Sequence, residues 1–320
     1  MYSSEFNLID RVTKFAIIRK SMKNTYCEKA YAKVNFNLRV FPKRADGINS
    51  GYHDIESIFQ TVDLYDELMV CVSAEPGCKV TCDSMVLPEN NTLVLAYKAF
   101  CEIAGVEVPG ISVKLKKGIP AGGGLGGGSS DAAALVRVLE NICGLKLTVE
   151  QIDYIAGKTG SDVFFFMYCD SDGTGTALVS GRGENVKRIQ SRKDLLLLLV
   201  FPEISSSTKE AYALVDEMLE KAKTEGRENE VKYPDFNELE AVYRSSPEAW
   251  NFINTFTPAL CGKYNDIKSA LKVLRKTGAK YSEMSGSGST VFGVFTSEQQ
   301  ATDICNLLGD SWNCVLARTL

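Results

Sequence analysis

The feature that most constrains this fold is a glycine-dense segment that joins a strand pattern to a helix pattern in mid-chain. Residues 111–115 alternate apolar and polar side chains, six of the seven residues 122–128 are glycine, and residues 132–143 are rich in helix formers. Between the glycines and the helix pattern are three residues of the types that cap helix N-termini, namely Ser129, Ser130 and Asp131. A glycine turn that feeds a helix N-terminus presents unpaired N–H groups at the positive end of the helix dipole. We therefore predict a phosphate site here, rather than a flexible linker.

The better-known phosphate loops do not fit this segment. A P-loop ends in Gly-Lys-Ser/Thr, whereas Gly128 is followed by two serines. Three of the glycines satisfy G-x-G-x-x-G, but the dinucleotide fold places that pattern in a first βαβ unit with an acidic residue about 20 positions later. The His-Arg-Asp and Asp-Phe-Gly triplets of protein kinases do not occur. The remaining interpretation is a nucleotide phosphate loop of another type.

Composition limits the remaining functions. The 320 residues are 45% hydrophobic, enough for two domains, and the net charge of −4 provides no basic field for nucleic acid or an anionic membrane. No apolar run reaches the ~18–20 residues of a membrane span. The ten cysteines lack metal-type spacing. We expect them to be reduced thiols, buried as small hydrophobes in a cytoplasmic protein, with Cys78 and Cys82 or Cys101 and Cys143 as alternative ligand pairs.

The order of strand and helix patterns predicts an α+β architecture in two lobes. We expect residues 63–67 to form a turn between strands 55–62 and 68–72, residues 163–168 to form an apolar strand, and the charged residues 181–194 to connect the domains. The predicted organisation is an N-terminal extension (1–26), a first domain (27–188) and a second domain (189–320). We expect the extension to be a disordered or loosely docked tail, with a targeting peptide as the alternative.

A second small-residue loop, residues 285–289, lies between two short strand patterns. Its central residues, Gly286, Ser287 and Gly288, allow close backbone approach and offer N–H and hydroxyl groups to an anion or nucleotide. A tight β-turn requires the same residue types, so both interpretations stay open for this loop alone. Two such loops in one chain favour phosphate chemistry.

A phosphotransferase also needs a cation near the developing charge and a group that positions or deprotonates the acceptor hydroxyl. Lys33, in a strand pattern, is the candidate cation, and a solvent-facing lysine is the alternative. Asp162, just before the three phenylalanines 164–166, is the candidate acid, although it can also cap a turn. The only histidine, His53, is either structural or, with Tyr52, part of a site for a base or sugar.

Five segments, in this order, resemble the GHMP kinases: residues 32–35 (AKVN), 44–47 with 51–53 (RADG, GYH), 120–133 (PAGGGLGGGSSDAA), 160–163 (GSDV) and 285–288 (SGSG). The resemblance extends from about residue 30 to residue 320. It implies the two-lobe GHMP kinase fold, with an N-terminal ATP-binding domain and a C-terminal α+β substrate domain. The double glycine triplet and the Tyr52–His53 pair are similar to the members that act on 4-diphosphocytidyl-2-C-methylerythritol.

The resemblance implies phosphorylation of the 2-hydroxyl of that small molecule in the non-mevalonate isoprenoid pathway, with ATP and Mg²⁺. Asp162 would position or deprotonate the hydroxyl, and Lys33 would stabilise the aspartate and the transferred phosphoryl. The residues implied to bind ATP are Asn91, Lys117, Pro120, Gly122, Gly123, Gly124, Leu125, Gly126, Gly127, Gly128, Ser129 and Ser130. Those implied to hold the substrate are Asn35, Tyr52, His53, Thr208, Tyr212, Gly286, Ser287 and Gly288, with Tyr52 and Tyr212 forming a cytosine sandwich.

Two departures from the family pattern lie near these residues. Residues 48–51 are inserted before the Tyr52–His53 pair, and Phe164 replaces a usual proline. We expect the insertion to alter the grip on cytidine and Phe164 to alter the geometry after Asp162. Another GHMP small-molecule kinase and a catalytically silent sensor are the alternative functions; intact Lys33 and Asp162 argue against the sensor. We expect a monomer or weak homodimer with no nucleic-acid or membrane partner.

Overall fold

The computed structural model describes residues 25–46, 50–202, 204, 207–227, 230–309 and 311–320. The predicted extension lies outside these residues except for Thr25 and Tyr26, which begin the first strand. Ile48 and Asn49 of the insertion also lie outside them. Among the helices described, none combines the length and apolar character that a bilayer crossing requires.

The first half of the chain builds one mixed sheet with helices packed on it. Its elements are β1 (Thr25–Lys43), β2 (His53–Ser73), β3 (Cys78–Cys82), α1 (Thr92–Ile103), β4 (Gly110–Lys116), α2 (Gly127–Cys143), α3 (Val149–Thr159), α4 (Ser161–Met167), β5 (Thr176–Gly181) and β6 (Asn185–Ile189). The strand order is β3-β4-β2-β5-β6, with β1 antiparallel to β2. The long β2 strand pairs with β5 through its first part and with β4 through its last part.

The second half builds an antiparallel sheet of order β10-β7-β9-β8. Its elements are β7 (Leu196–Phe201), α5 (Thr208–Thr224), α6 (Leu239–Arg244), α7 (Phe256–Lys263), α8 (Asn265–Lys276), β8 (Tyr281–Met284), β9 (Val291–Phe295), α9 (Glu298–Leu308) and β10 (Asn313–Arg318). The two halves share a buried aromatic cluster in which Phe36 of β1 contacts Tyr243, Trp250 and Phe292. The predicted α+β class in two lobes is confirmed, and the division at residues 188 and 189 stays a prediction.

Three predictions of local secondary structure were wrong. Residues 63–67 are not a turn, because they continue β2, where Glu67 is paired on both sides with Lys29 and Lys116. Residues 163–168 belong mainly to helix α4, whose apolar residues 163–166 are all buried. A helix that is buried all round has no polar stripe and therefore resembles a buried strand in sequence. The connection 181–194 contains strand β6.

The start of α2 also differs from the prediction. The N-cap is Gly126 in a left-handed conformation, and no side chain caps the helix. The three predicted capping residues 129–131 therefore lie inside the first turns. The cysteines are free thiols as far as the structure describes them, but they are not buried core residues, since Cys27 and Cys101 are exposed and the other eight are partly exposed.

Candidate active site

A cleft of ≈ 570 Å³ lies where both glycine loops meet β1, α4 and α5. Most of the predicted site residues line it: Lys33, Asn35, Asn91, Lys117, Pro120, Gly122, Gly123, Gly124, Leu125, Gly126, Gly127, Gly128, Ser129, Asp162, Thr208, Tyr212, Gly286 and Ser287. The predicted residues outside this lining are Ser130, Tyr52, His53 and Gly288. Ser130 is buried inside α2, and Gly288 belongs to the turn between β8 and β9, where its N–H donates to the Ser285 carbonyl over 3.1 Å.

The two glycine loops are joined by hydrogen bonds to the backbone carbonyl groups of Gly123 and Gly124. The Ser285 hydroxyl donates to the Gly124 carbonyl over 3.0 Å, and the Thr290 N–H donates to the Gly123 carbonyl over 3.2 Å. Gly124 has a φ of 74°, and a Cβ there would lie 2.1 Å from the Ser285 carbonyl oxygen. Only glycine therefore fits this contact. The second loop is both a tight turn and a wall of the cleft, so the two interpretations of residues 285–289 are compatible.

Lys33 projects from β1 into the cleft, and its side chain is only 3% exposed. The ammonium donates to the Asn35 side-chain oxygen over 2.6 Å and to the Gly124 carbonyl over 3.0 Å. It lies 3.4 Å from Asp162 Oδ2 and 4.7 Å from the centre of the Phe59 ring. The solvent-facing alternative is thus wrong for Lys33. The ammonium links the glycine loop to the candidate acid.

Asp162 lies in the first turn of α4, and the helix holds it over buried phenylalanines. Its side chain is 33% exposed. The carboxylate therefore pairs with Lys33 and is still accessible from the cleft. An accessible carboxylate beside a buried ammonium is an arrangement that can accept a proton from a hydroxyl and stabilise negative charge next to it.

Lys117 lines the cleft, but its ammonium is already bound to two carboxylates. It forms ion pairs with Asp66 of β2 and, over 3.2 Å, with Asp131 of α2. Burial alone would lower the pKa of Lys117, but the charges of Asp131 and Asp66 outweigh it and raise that pKa. Burial raises the pKa of Asp131 to about 8; Lys117 opposes this shift and Asp66 adds to it.

Asp66 also holds the chain that enters the glycine loop, because its Oδ1 accepts the N–H groups of Gly118 over 2.6 Å and of Ile119 over 2.8 Å. The prediction missed Asp66 because residues 63–67 were assigned to a turn. The signal that could have found it is an acidic residue inside an otherwise continuous strand pattern.

Helix α1 supports the other side of the loop. The Asn91 side-chain oxygen caps α1 by accepting the N–H groups of Leu93 and Val94, and its amide donates to Pro88. The Thr92 hydroxyl donates to the Gly128 carbonyl over 2.7 Å. Asn91 is thus a structural cap at the edge of the cleft, and its predicted contact with the nucleotide stays a prediction.

His53 is buried between β1, β2 and α5. Its ring stacks on Tyr212, with 4.7 Å between centroids, and Nδ1 lies 2.7 Å from the Phe41 carbonyl oxygen. Nε2 lies 3.3 Å from Oδ1 of Asp216, which stands one helical turn after Tyr212 on α5. Nδ1 is therefore close enough to hydrogen-bond with the Phe41 carbonyl, whereas Nε2 is buried near the Asp216 carboxylate without a hydrogen-bond partner among the described residues. Asp216 was missed by the sequence prediction, since nothing in its local pattern distinguishes it from other helix acids.

The cytosine sandwich of Tyr52 and Tyr212 stays a prediction, and both rings contact other side chains of the protein. The Tyr212 ring is covered by His53 and by Phe256, and burial together with the charge of Asp162 raises the pKa of Tyr212 to about 12. Tyr52 is exposed, and the Arg182 guanidinium lies 4.9 Å from the centre of its ring. Arg182, which lines the cleft, was also missed.

Residues 91–170 match the family described as GHMP kinases N terminal domain, and residues 235–313 match GHMP kinases C terminal. A 4-diphosphocytidyl-2-C-methyl-D-erythritol kinase of Thermodesulfovibrio yellowstonii is 36% identical over 292 residues, which cover 91% of this chain and 97% of the relative. The chain belongs to the 4-diphosphocytidyl-2-C-methyl-D-erythritol kinase family. The family member of Thermotoga maritima is 38% identical over 267 residues, covering 83% of this chain and 90% of that protein.

Solved structures agree with the membership in this family. A 4-(cytidine 5'-diphospho)-2C-methyl-D-erythritol kinase superposes with a TM-score of 0.71 at 26% identity, covering 92% of this chain and 99% of the other. A homoserine kinase from Cytophaga hutchinsonii gives a TM-score of 0.60 at 19% identity, covering 94% and 96%. At that lower identity the similarity shows a common fold alone.

Proposed function

We propose that this protein is an ATP-dependent kinase that phosphorylates the 2-hydroxyl of 4-diphosphocytidyl-2-C-methyl-D-erythritol. The observation that carries the proposal is the contact of Lys33 with Asp162, over 3.4 Å, in the same cleft as the glycine loop. The family membership supports the choice of acceptor. An acid and a cation in one cleft with a phosphate loop are the parts that phosphoryl transfer requires.

Each part has a role in the proposed reaction. N–H groups of residues 122–130, at the positive end of α2, would bind the phosphates of ATP. The Asp162 carboxylate would orient the 2-hydroxyl and take its proton, while Lys33 would stabilise negative charge on the transferred phosphoryl. Because Lys33 also binds the Gly124 carbonyl, its ammonium is fixed relative to the loop before the substrates meet.

Mg²⁺ would enter with the nucleotide. Within the ranges that the structure describes, no group of three or more His, Cys, Asp or Glu side chains could hold a metal ion. Mg²⁺ commonly binds through substrate phosphates and only one or two carboxylates, so the Asp162 carboxylate and the Ser129 hydroxyl on the cleft wall fit such a site. When bound, the ion would neutralise phosphate charge.

Three further features belong to this proposal. Asn91 and Lys117 would lie near the adenosine, and Asn35, Thr208, Ser287 and the Tyr52–His53 side of the cleft near the acceptor. The protein would act in the cytoplasm, which the ten free cysteines support. It would act as a monomer or weak homodimer.

An acceptor comparison tests the proposal. ADP formation would be measured with ATP and, in separate reactions, the cytidyl substrate, homoserine and mevalonate. We expect turnover with the cytidyl substrate alone. Turnover with homoserine or mevalonate but not with the cytidyl substrate would favour another small-molecule kinase of the superfamily. ATP binding without turnover of any acceptor would favour a sensor.

A further inference from the structure

Arg182 is a cation of the cleft that the roles described above do not use. The lining contains three cationic side chains, Lys33, Lys117 and Arg182, among the residues that the structure places. Lys33 is paired with Asp162, and Lys117 with Asp66 and Asp131. The Arg182 guanidinium contacts no carboxylate within the described ranges, and its Nε is buried without a hydrogen-bond partner there. A buried donor without a partner is costly in a folded protein, so a functional explanation is warranted.

The surroundings of Arg182 fix where its side chain can act. It follows Gly181, the last residue of β5, which pairs with Ile55 of β2. Ile55 also lines the cleft and stands three residues after Tyr52. The Tyr52 ring lies 4.9 Å from the guanidinium. A ring at the face of a guanidinium leaves the N–H donors at its edge available for an anion.

The turn that carries Arg182 is packed against the start of helix α4, which carries Asp162. A Cβ at Gly183 would lie 3.0 Å from the Ser161 carbonyl oxygen, and Gly183 has a φ of 118°. The backbone N–H of Arg182 donates to the Glu184 carboxylate. The turn is therefore fixed next to the residue that precedes the candidate acid. An anion held by Arg182 would lie on the acceptor side of the cleft, apart from the donor phosphates at the glycine loop.

We propose that Arg182 binds the diphosphate of the acceptor and that Tyr52 holds the guanidinium in place for it. This inference rests on the proposed function, because that acceptor carries a diphosphate between its cytidine and its alcohol. A planar guanidinium matches phosphate oxygens with paired N–H donors, which an ammonium cannot reproduce. The diphosphate would satisfy the buried Nε donor and set the distance from the cytidine to the hydroxyl at Asp162.

Titration calorimetry with CDP and with cytidine, both in saturating ADP, separates a diphosphate contact from a base contact. In Arg182→Ala we expect the Kd for CDP to rise about 10- to 100-fold, the usual loss for a hydrogen bond to a charged group, with little change for cytidine. The Kd of Arg182→Lys for CDP should lie between those of the wild type and Arg182→Ala, because the charge remains and the planar fork is lost. Arg188→Ala, which removes an Arg188–Asp170 ion pair outside the cleft, is the control and should leave both affinities unchanged.

The outcomes distinguish this inference from the function on which it rests. Equal weakening of CDP and cytidine would overturn it in favour of a base contact or a structural role, and an unchanged CDP affinity would overturn it outright. If the wild type binds neither ligand, the cytidine-linked acceptor itself is wrong. Should Arg182→Ala fail to fold, Arg182→Lys carries the test. In turnover, the KM for the acceptor should rise while the KM for ATP stays constant.

Discussion

The ammonium of Lys33 lies 3.4 Å from Asp162 and 3.0 Å from the carbonyl oxygen of Gly124. One buried cation thus contacts both the acid that faces the acceptor and the loop that faces the donor. A P-loop carries its lysine within the loop itself, whereas here the lysine comes from β1. The position of the cation consequently depends on how β1, the glycine loop and α4 are packed.

Removing either the Asp162 carboxylate or the Lys33 ammonium should slow phosphoryl transfer strongly while leaving nucleotide binding intact. In Asp162→Asn we expect kcat to fall about 10²- to 10⁴-fold, the usual contribution of a positioned acid or base, and in Lys33→Ala about 10²- to 10³-fold. Dissociation constants for ADP should change little, because the loop N–H groups remain. Steady-state kinetics and nucleotide titration measure both quantities. The exposed Glu150→Gln is the control, and near-wild-type turnover in Asp162→Asn would refute its role.

Gly124→Ala should separate the two glycine loops. Its Cβ would lie 2.1 Å from the Ser285 carbonyl oxygen, and a displacement of about 1 Å near reacting groups can cost about 10²-fold in rate. Gly144→Ala is a matched control, since Gly144 also has a positive φ, 64°, but no atom lies within 4 Å of its Cβ position. That control should lose about 1–2 kcal/mol of stability and keep its activity. Equal activity in the two variants would show that the loop contact is dispensable.

The buried Asp131 should give the protein a pH-dependent stability. Its pKa is raised from the ordinary 3.8 to about 8, mainly by burial. Between these values the folded state holds a proton that the unfolded state has released, so the free energy of unfolding falls as pH rises. Asp131→Asn removes this dependence. Relative to the wild type, the variant should therefore gain stability from pH 4 to pH 8.

Guanidinium unfolding curves at pH 5 and pH 8 measure the difference. Asp83→Asn, whose side chain is 80% exposed in the wild type, serves as the control and should show no such trend. The result that contradicts the prediction is a difference in the free energy of unfolding between Asp131→Asn and the wild type that is the same at both pH values, or that changes in the opposite direction. Asp131 would then be ionised throughout, with Lys117 as its counter-ion.

Substitution of Asp216 should weaken binding of the acceptor and leave binding of the nucleotide unchanged. It stands 3.3 Å from Nε2 of His53, while the Phe41 carbonyl oxygen lies 2.7 Å from Nδ1. Asp216→Asn removes the negative charge that faces Nε2, which is expected to alter how the His53–Tyr212 pair is positioned against the acceptor. We expect Asp216→Asn to raise the KM for the acceptor about 10-fold, with kcat and the KM for ATP nearly constant. Glu217→Gln, the exposed neighbour on α5, is the control. A rise in both KM values would indicate a general structural defect instead.

Much of the fold could be predicted from the sequence because many elements carry local signals. The strand pattern of residues 111–115 lies within β4, and the helix pattern of residues 132–143 lies within α2. Helix α4 could not be predicted in this way. Its residues 163–166 are buried on all sides by tertiary packing, so the helical period leaves no polar stripe.

The site was predictable in its parts and not in its connections. Local patterns pointed to Lys33, Asp162 and both glycine loops, and the family resemblance gave them roles; all of them contribute to one cleft. Three contacts join segments that are distant in sequence: Gly124 with Ser285, Lys117 with its two carboxylates, and His53 with the nearby Asp216. Arg182 was overlooked because flanking glycines and nearby charges are typical of a solvated turn. Only the folded chain shows that its guanidinium lies against Tyr52.

The most direct test of the proposed reaction is phosphorus NMR of the protein with Mg²⁺, ATP and 4-diphosphocytidyl-2-C-methyl-D-erythritol. We predict one new phosphomonoester on the 2-oxygen of the erythritol, formed in equal amount with ADP, while the acceptor's diphosphate stays intact. Unchanged ATP, or ADP released with free phosphate and no new ester, would contradict the assignment of this cleft as a kinase site for that alcohol.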